Sequence, residues 1–212
     1  MSAAVGRIAA FVEGQDHLAV TRIAERLDPY AVLVSTIISL RTRDEVTDLV
    51  SPRLLAEAPD AEALARLPAD RIAELIYPAC FYRNKGRALH AMGRALCERH
   101  GGRVPDSMED LLALGGVGRK TANLVLTLGF GKPGICVDTH VHRIANRLGF
   151  VRTRAPDETE RVLRARLPRR FWMSINDVLV SFGRAHCGPL SPRCSTCPVA
   201  RTCLRAGVGR SR

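Results

Sequence analysis

The sequence predicts an all-α protein, and three observations carry the prediction. Apolar residues recur at helical spacing along most of the 212 residues. Helix-capping residues stand where those patterns begin, with Asp28, Ser107 and Asp138 as the clearest cases. No strand–glycine–helix pattern, internal repeat or low-complexity tract breaks the series. These features describe about ten short helices joined by short loops.

Composition narrows the functional classes. The hydrophobic fraction of 46% is that of a globular protein rather than a disordered one. Formal net charge is +11 and the sequence pI is near 10.1, which favours a polyanionic partner, nucleic acid foremost. No run approaches about 18 consecutive apolar residues, so no membrane partner is expected. The opening MSAAVGRIAAFVEGQD lacks the apolar core of a signal peptide, and a cytoplasmic location in association with chromosomal DNA follows as the expectation. The cations are 29 Arg and only 3 Lys, at Lys85, Lys120 and Lys132. Arginine preponderance suits phosphate contact by planar forks, although a G+C-rich genome would give the same bias.

The elements follow in order. Ile8, Phe11, Leu18, Ile23 and Leu27 have rough helical spacing over residues 8–27, with a break near Gly14. Asp28-Pro29 is an N-cap followed by proline at the first helical position, opening Tyr30 to Leu40. YAVLVSTIISL is so apolar and β-branched that periodicity alone also permits a strand; helical neighbours decide for a buried helix. Thr42 and Glu45 stand in capping-box spacing before Val46, Leu49 and Val50, which makes Arg41-Thr42-Arg43-Asp44 an exposed turn. Asp60 and Asp70 each precede a short helical pattern. Asn84 to Arg99 is amphipathic and stops at Gly101-Gly102. Asp138 caps Thr139 to Leu148, with Gly149 as the stop. Residues 151–170 hold 7 Arg and read as a solvated basic face. A last helix runs from about Arg170 to His186 with Phe171, Ile175, Val178, Leu179 and Phe182 on its core side.

The stretch LLALGGVGRKTANLVLTLGFGKPGICVD, Leu111 to Asp138, carries the chemistry. Ser107 and Asp110, in capping-box spacing, start a helix that runs into Gly115-Gly116-Val117-Gly118. A second helix, Thr121 to Leu128, follows and ends at Gly129. Glycines in such a turn permit positive φ and close approach of another backbone. The free N–H groups of the turn and of the next helix's first residues then form an anion site, and a phosphodiester suits a basic protein. Lys120 on that first turn reads, by itself, first as a phosphate contact.

There are 7 Cys in the chain. Cys80, Cys97 and Cys136 are scattered, whereas Cys187, Cys194, Cys197 and Cys203 form Cys-x6-Cys-x2-Cys-x5-Cys within 17 residues. An odd count without an export signal argues against a disulfide framework and for metal ligation. Four thiolates suit zinc or an iron–sulfur cubane, and the spacing alone leaves both open; only one close pair is present where structural zinc sites usually have two.

LGGVGRKTAN at 114–123, VDTHVHRIANRLG at 137–149 and the four-cysteine pattern together resemble the endonuclease III family, the helix-hairpin-helix DNA glycosylases and AP lyases with a C-terminal iron–sulfur cluster. The likeness runs from about Asp28 to Cys203. It implies a two-domain helix-hairpin-helix glycosylase fold: a central helical domain at 26–130 with the hairpin at about 108–128, and a discontinuous cluster domain of 1–25 and 131–212. It also implies a 4Fe-4S cofactor on Cys187, Cys194, Cys197 and Cys203 in the loop 187–203, structural in role. A monomer acting on duplex DNA with oxidised pyrimidines or abasic sites is expected, with the damaged nucleotide flipped out of the stack.

In this resemblance Lys120 matches the family's nucleophile and Asp138 its essential carboxylate. An amine attacking C1′ expels the base, and the resulting iminium permits β-elimination of the 3′ phosphate. Lys120 then needs a lowered pKa, for which burial, its helix N-terminus and Arg119 are the sources. Asp138 stabilises positive charge on the sugar while also capping a helix. Gly116, Val117, Gly118, Arg119 and Thr121 of the hairpin, with His140, are assigned to DNA contact; His142 is structural or exposed. Two departures stand out. Gly115 replaces the family's usual proline, leaving a more flexible turn, and Leu40-Arg41-Thr42 replaces a segment where relatives place a gap-filling glutamine. Leu40 is assigned to wedging into the stack and Arg41 to the orphan base, with Ile37, Tyr82 and Arg83 nearby. A mismatch-directed or monofunctional glycosylase, and a lyase-dominant or damage-binding protein, are the alternative readings.

Overall fold

The computed structural model describes residues 1–14 and 28–212, so the part of the helical pattern at Leu18, Ile23 and Leu27 lies outside the described residues. All regular secondary structure among the described residues is helical. Two units result: residues 28–132, and residues 1–14 with 133–212. Among the described residues no helix is long and apolar enough to cross a membrane.

The unit 28–132 is built around α2, Pro29–Ser39, after α1, Ser2–Val12, of the other unit. Asp28 caps α2 by accepting the N–H groups of Tyr30 at 2.9 Å and Ala31 at 3.2 Å. Residues 30–38 are buried on every side, which is why the segment has no polar face and no readable helical stripe. Around it lie α3 (Asp44–Glu57), α4 (Ala61–Arg66), α5 (Ala69–Leu75), α6 (Tyr82–His100), α7 (Met108–Leu112) and α8 (Arg119–Leu124). The wider turns of Val125–Gly129 continue α8. Leu33, Ile38, Leu54, Leu64, Ile72, Leu89, Leu96 and Leu111 form the core.

Local chemistry explains most boundaries. Asp60 caps α4 through the N–H of Ala63, and Ser107 caps α7 through that of Asp110. Asp70 does not cap; it sits inside the first turn of α5, where its charge still complements the helix dipole. At the end of α6, Gly101 is left-handed and Gly102 N–H returns to Leu96 O at 3.0 Å. The Thr42–Glu45 capping box does not form. Arg43 occupies the cap of α3 without a side-chain bond, because the Thr42 hydroxyl accepts from the buried Lys85 ammonium instead. Satisfying a buried charge outweighs one exposed cap.

Close approach of α6 to α5 depends on Gly86. A Cβ there would lie 2.6 Å from the Ala69 carbonyl oxygen and 2.9 Å from Ala73 Cβ. Gly86→Ala is therefore expected to cost about 1–3 kcal/mol by overpacking, read as a lower urea midpoint at unchanged slope. An unchanged midpoint would contradict this packing.

In the second unit α1 packs on α11 (Ile175–Ala185), which also packs on α9 (Thr139–Arg147). Val5, Ile8, Val137, Val141, Ile144, Leu163, Leu179 and Phe182 fill its core. The segment read as a plain basic face contains α10, Pro156–Arg166, with proline in the first turn, Asp157 and Glu158 after it and Arg164 and Arg166 in the last turn. The single helix expected from Arg170 to His186 is two pieces, a 3-10 turn Arg169–Phe171 and α11; between them the Trp172 indole N–H turns back to Leu167 O at 2.8 Å.

The expected iron–sulfur cluster, and with it a fold class containing a cluster domain, needs correction. Among the described residues no group of three or more His, Cys, Asp or Glu is placed to hold a metal ion. Cys187, Cys194, Cys197 and Cys203 line one cavity, but its free volume is only about 20 Å³, on the scale of a single water. Cys187, Cys197 and Cys203 pack as small apolar groups against the Val199 and Phe182 core. The Cys203 thiol donates to Arg147 O and accepts from Arg205 N–H, and burial raises the pKa of the Cys197 and Cys203 thiols, favouring the neutral form. The residues as arranged do not fit a 4Fe-4S group, and this unit is held by its apolar core and by buried arginine.

Candidate functional site

The hairpin is α7, the turn at residues 113–118 and α8. Val117 N–H closes the turn on Leu114 O at 3.1 Å, and Val117 packs into the core. Gly115, Gly116 and Gly118 are exposed. Gly116 has φ +85°, a conformation that a Cβ would strain, and Gly118 is the cap residue of α8 with no side chain over the helix end. Arg119 and Lys120 are half-buried on the first turn of α8, while Thr121 is buried beneath them.

In the other unit Asp138 caps α9, its Oδ1 accepting the N–H groups of His140 and Val141 at 2.9 Å each. One carboxylate oxygen thus holds two backbone donors, which fixes the side chain. His140 Nδ1 lies 3.2 Å from an Arg143 guanidinium nitrogen. His142 points elsewhere, its Nδ1 2.7 Å from the Thr159 hydroxyl, so it joins α9 to α10.

Arg143 and Arg147, one turn apart on α9, hold the segment after α11. Arg143 Nη2 donates to Cys187 O at 3.0 Å, and Arg147 donates to Gly188 O at 2.7 Å and Pro189 O at 2.6 Å. Arg147 is buried, and burial together with the Arg147 charge lowers the pKa of Arg143.

The turns at 40–42 and 77–82 adjoin in the unit 28–132. Leu40 is half-buried and Arg41 exposed. Arg41 and Phe81 both have left-handed backbones, φ 56° and 58°, and the Arg41 guanidinium lies 5.9 Å from the Phe81 ring centroid. Phe81 is 59% exposed, and Tyr82 beside it is half-buried, edge-on to Tyr77 and covered by Arg83. Lys85 lies beneath. It is 7% exposed, and burial pushes its pKa down from 10.5 to about 8. The folded chain therefore holds this proton less tightly than the unfolded chain, so stability from Lys85 rises between about pH 8 and pH 10.5 and is level below that window. Urea unfolding of the parent and of Lys85→Met across that range should show the difference between them changing in this sense.

A family model for the HhH-GPD superfamily of base excision DNA repair proteins matches residues 34–169. Over 188 residues the chain is 47% identical to endonuclease III of Thermotoga maritima, covering 87% of this chain and 88% of that one. The chain belongs to the endonuclease III family. It is also 34% identical to endonuclease III of Bacillus subtilis over 186 residues, 87% of this chain and 84% of the relative. The structure of a trapped covalent endonuclease III–DNA intermediate superposes with a TM-score of 0.86 at 30% identity, covering 96% of this chain and 94% of that one. The family expected from the motifs is thus established, whereas its cluster is not supported among the described residues.

Sequence reading missed Phe81, Lys85, Arg143 and Arg147. A lone phenylalanine and a helical lysine carry no signal of their roles, and the two arginines are lost among 29. Their i, i+4 spacing on α9 marked only a shared face.

Proposed function

We propose that this endonuclease III family member is a bifunctional DNA glycosylase and apurinic/apyrimidinic lyase that removes oxidised pyrimidines from duplex DNA. The observation that carries it is the covalent endonuclease III–DNA intermediate, whose fold this chain shares nearly end to end. Lys120 on the first turn of α8 and Asp138 at the cap of α9 supply the residue types such chemistry needs.

In the reading that follows, the Lys120 amine bonds to C1′ as the N-glycosidic pair leaves with the base, which takes up a proton. The proton lost by the attached amine passes to O4′ as the C1′–O4′ bond breaks and the nitrogen lone pair forms C1′=N, giving a ring-opened iminium. Removal of a C2′ proton then lets its electron pair form the C2′=C3′ bond as the C3′–O bond breaks and the 3′ phosphate leaves with that bond's pair; water finally hydrolyses the imine and frees the lysine. Asp138, its Oδ1 fixed by two N–H donors, stabilises the cationic sugar. Gly116 and Gly118 offer backbone N–H groups to phosphate, with Val117 anchoring the turn to the core, Arg119 beside them and Thr121 supporting from below. Leu40, Arg41 and Tyr82 meet the stack where the nucleotide leaves it, His140 contacts phosphate, and Phe81 joins Arg41 by virtue of its exposure.

Incubation with end-labelled duplexes containing thymine glycol tests the proposal. Release of the free base together with strand cleavage is the expected result. Base release with an intact strand would replace it by a monofunctional glycosylase.

A further inference from the structure

Lys85 lies outside the chemistry, yet it joins the two turns that carry Arg41 and Phe81. Its Nζ donates to Ile38 O at 2.6 Å, Leu40 O at 2.7 Å and Thr42 Oγ1 at 2.8 Å. An ammonium has three N–H donors, and here each has its own acceptor. Two of the acceptors are carbonyls at the C-terminal end of α2, where the helix dipole favours a cation. The third, Thr42 Oγ1, also accepts the N–H of Cys80 at 3.2 Å, which extends the connection to the second turn. The backbone N–H of Lys85 closes on Phe81 O at 3.0 Å.

Both left-handed residues are enclosed by this network. Arg41 lies between Leu40 and Thr42, each of which bonds to Lys85, and Phe81 follows Cys80 and precedes the first turn of α6. A left-handed backbone at residues with side chains persists only where its surroundings fix it. The ammonium supplies that constraint for both turns at once, and the exposed Arg41 and Phe81 side chains come out side by side.

We infer that Lys85 is a positioning residue for base excision: its ammonium presets Arg41 and Phe81 as one rigid pair that enters the stack when a nucleotide is flipped. The inference rests on the reading of Arg41 and Phe81 as DNA-facing. A preset pair matters most when an intact base must be unstacked, and least at an abasic site, where there is no base to move.

The test compares the parent protein with Lys85→Met, Lys85→Arg and Phe81→Ala. For each, the melting temperature, single-turnover excision from a thymine glycol duplex and strand cleavage of a preformed abasic duplex are measured. Lys85→Met is expected to lose about ten- to a hundredfold in maximal excision rate, as expected for misplacement of a positioned group, while abasic cleavage changes less than about threefold. Phe81→Ala should show the same selective loss, Lys85→Arg should recover part of it, and the Lys85→Met, Phe81→Ala double variant should be little worse than either single. Equal loss on both duplexes, loss tracking the melting temperature, or no loss would overturn the inference. Should Lys85→Met not fold, Thr42→Val removes the shared hydroxyl and is held to the same criterion. A parent protein that cleaves neither duplex would remove the proposed activity and this inference together; an active parent with an unselective Lys85→Met removes only the inference.

Discussion

Lys120→Ala is expected to abolish strand cleavage and covalent capture of DNA while leaving duplex binding nearly unchanged. Lys120 is half-buried on the first turn of α8, and removing its side chain leaves the hairpin backbone, its glycine turn and the Val117 anchor in place. Phosphate contact through backbone N–H groups therefore survives. Loss of a covalent nucleophile is expected to lower single-turnover cleavage by at least about a thousandfold, since only residual binding and electrostatic terms remain. Quantitative gel cleavage alongside fluorescence anisotropy of a labelled duplex checks both halves. Weakened binding in step with lost cleavage would return Lys120 to a phosphate contact.

Asp138→Asn separates two duties of one side chain. The aspartate Oδ1 holds the N–H groups of His140 and Val141, and an asparagine carbonyl accepts the same pair. Asn and Asp are near-equal N-caps, so stability is expected to change by less than about 0.5 kcal/mol, whereas Asp138→Ala loses about 1 kcal/mol with the cap. Excision should nevertheless fall about 10²- to 10³-fold in Asp138→Asn, because the charge that stabilises the cationic sugar is gone. Urea denaturation paired with single-turnover excision measures the split. Full activity in Asp138→Asn would leave Asp138 as a helix cap alone.

Features set by neighbours in sequence were legible in advance. The caps at Asp28, Ser107 and Asp138, the stop at Gly101-Gly102 and the glycine hairpin depend on side chains and backbone groups a few residues apart. Features set by distant neighbours were not. Thr42 has the spacing of a capping box, but Lys85, 43 positions away, takes its hydroxyl. The break before α11 comes from Trp172 turning to Leu167, which periodicity does not register. The cysteine spacing matched a cluster pattern, yet spacing says nothing of where sulfurs point, and here they pack beside Phe182 and Val199 and bond near Arg147. The glycine turn ahead of Lys120 and the cap at Asp138 were readable from local signals, whereas the chemical roles proposed for the two residues came from the family resemblance. Phe81, proposed above to face DNA, was hidden because only the fold shows its exposure and its left-handed backbone.

Borohydride trapping followed by peptide mapping tests the central claim most directly. The purified protein is mixed with a thymine glycol duplex and with an abasic duplex, reduced, digested and analysed by mass spectrometry. A reduced sugar adduct on Lys120 from both duplexes is the predicted result. An adduct only from the abasic duplex would make the protein a lyase without base excision, and an adduct on another residue, or none from either duplex, would contradict the assignment of Lys120 as the nucleophile.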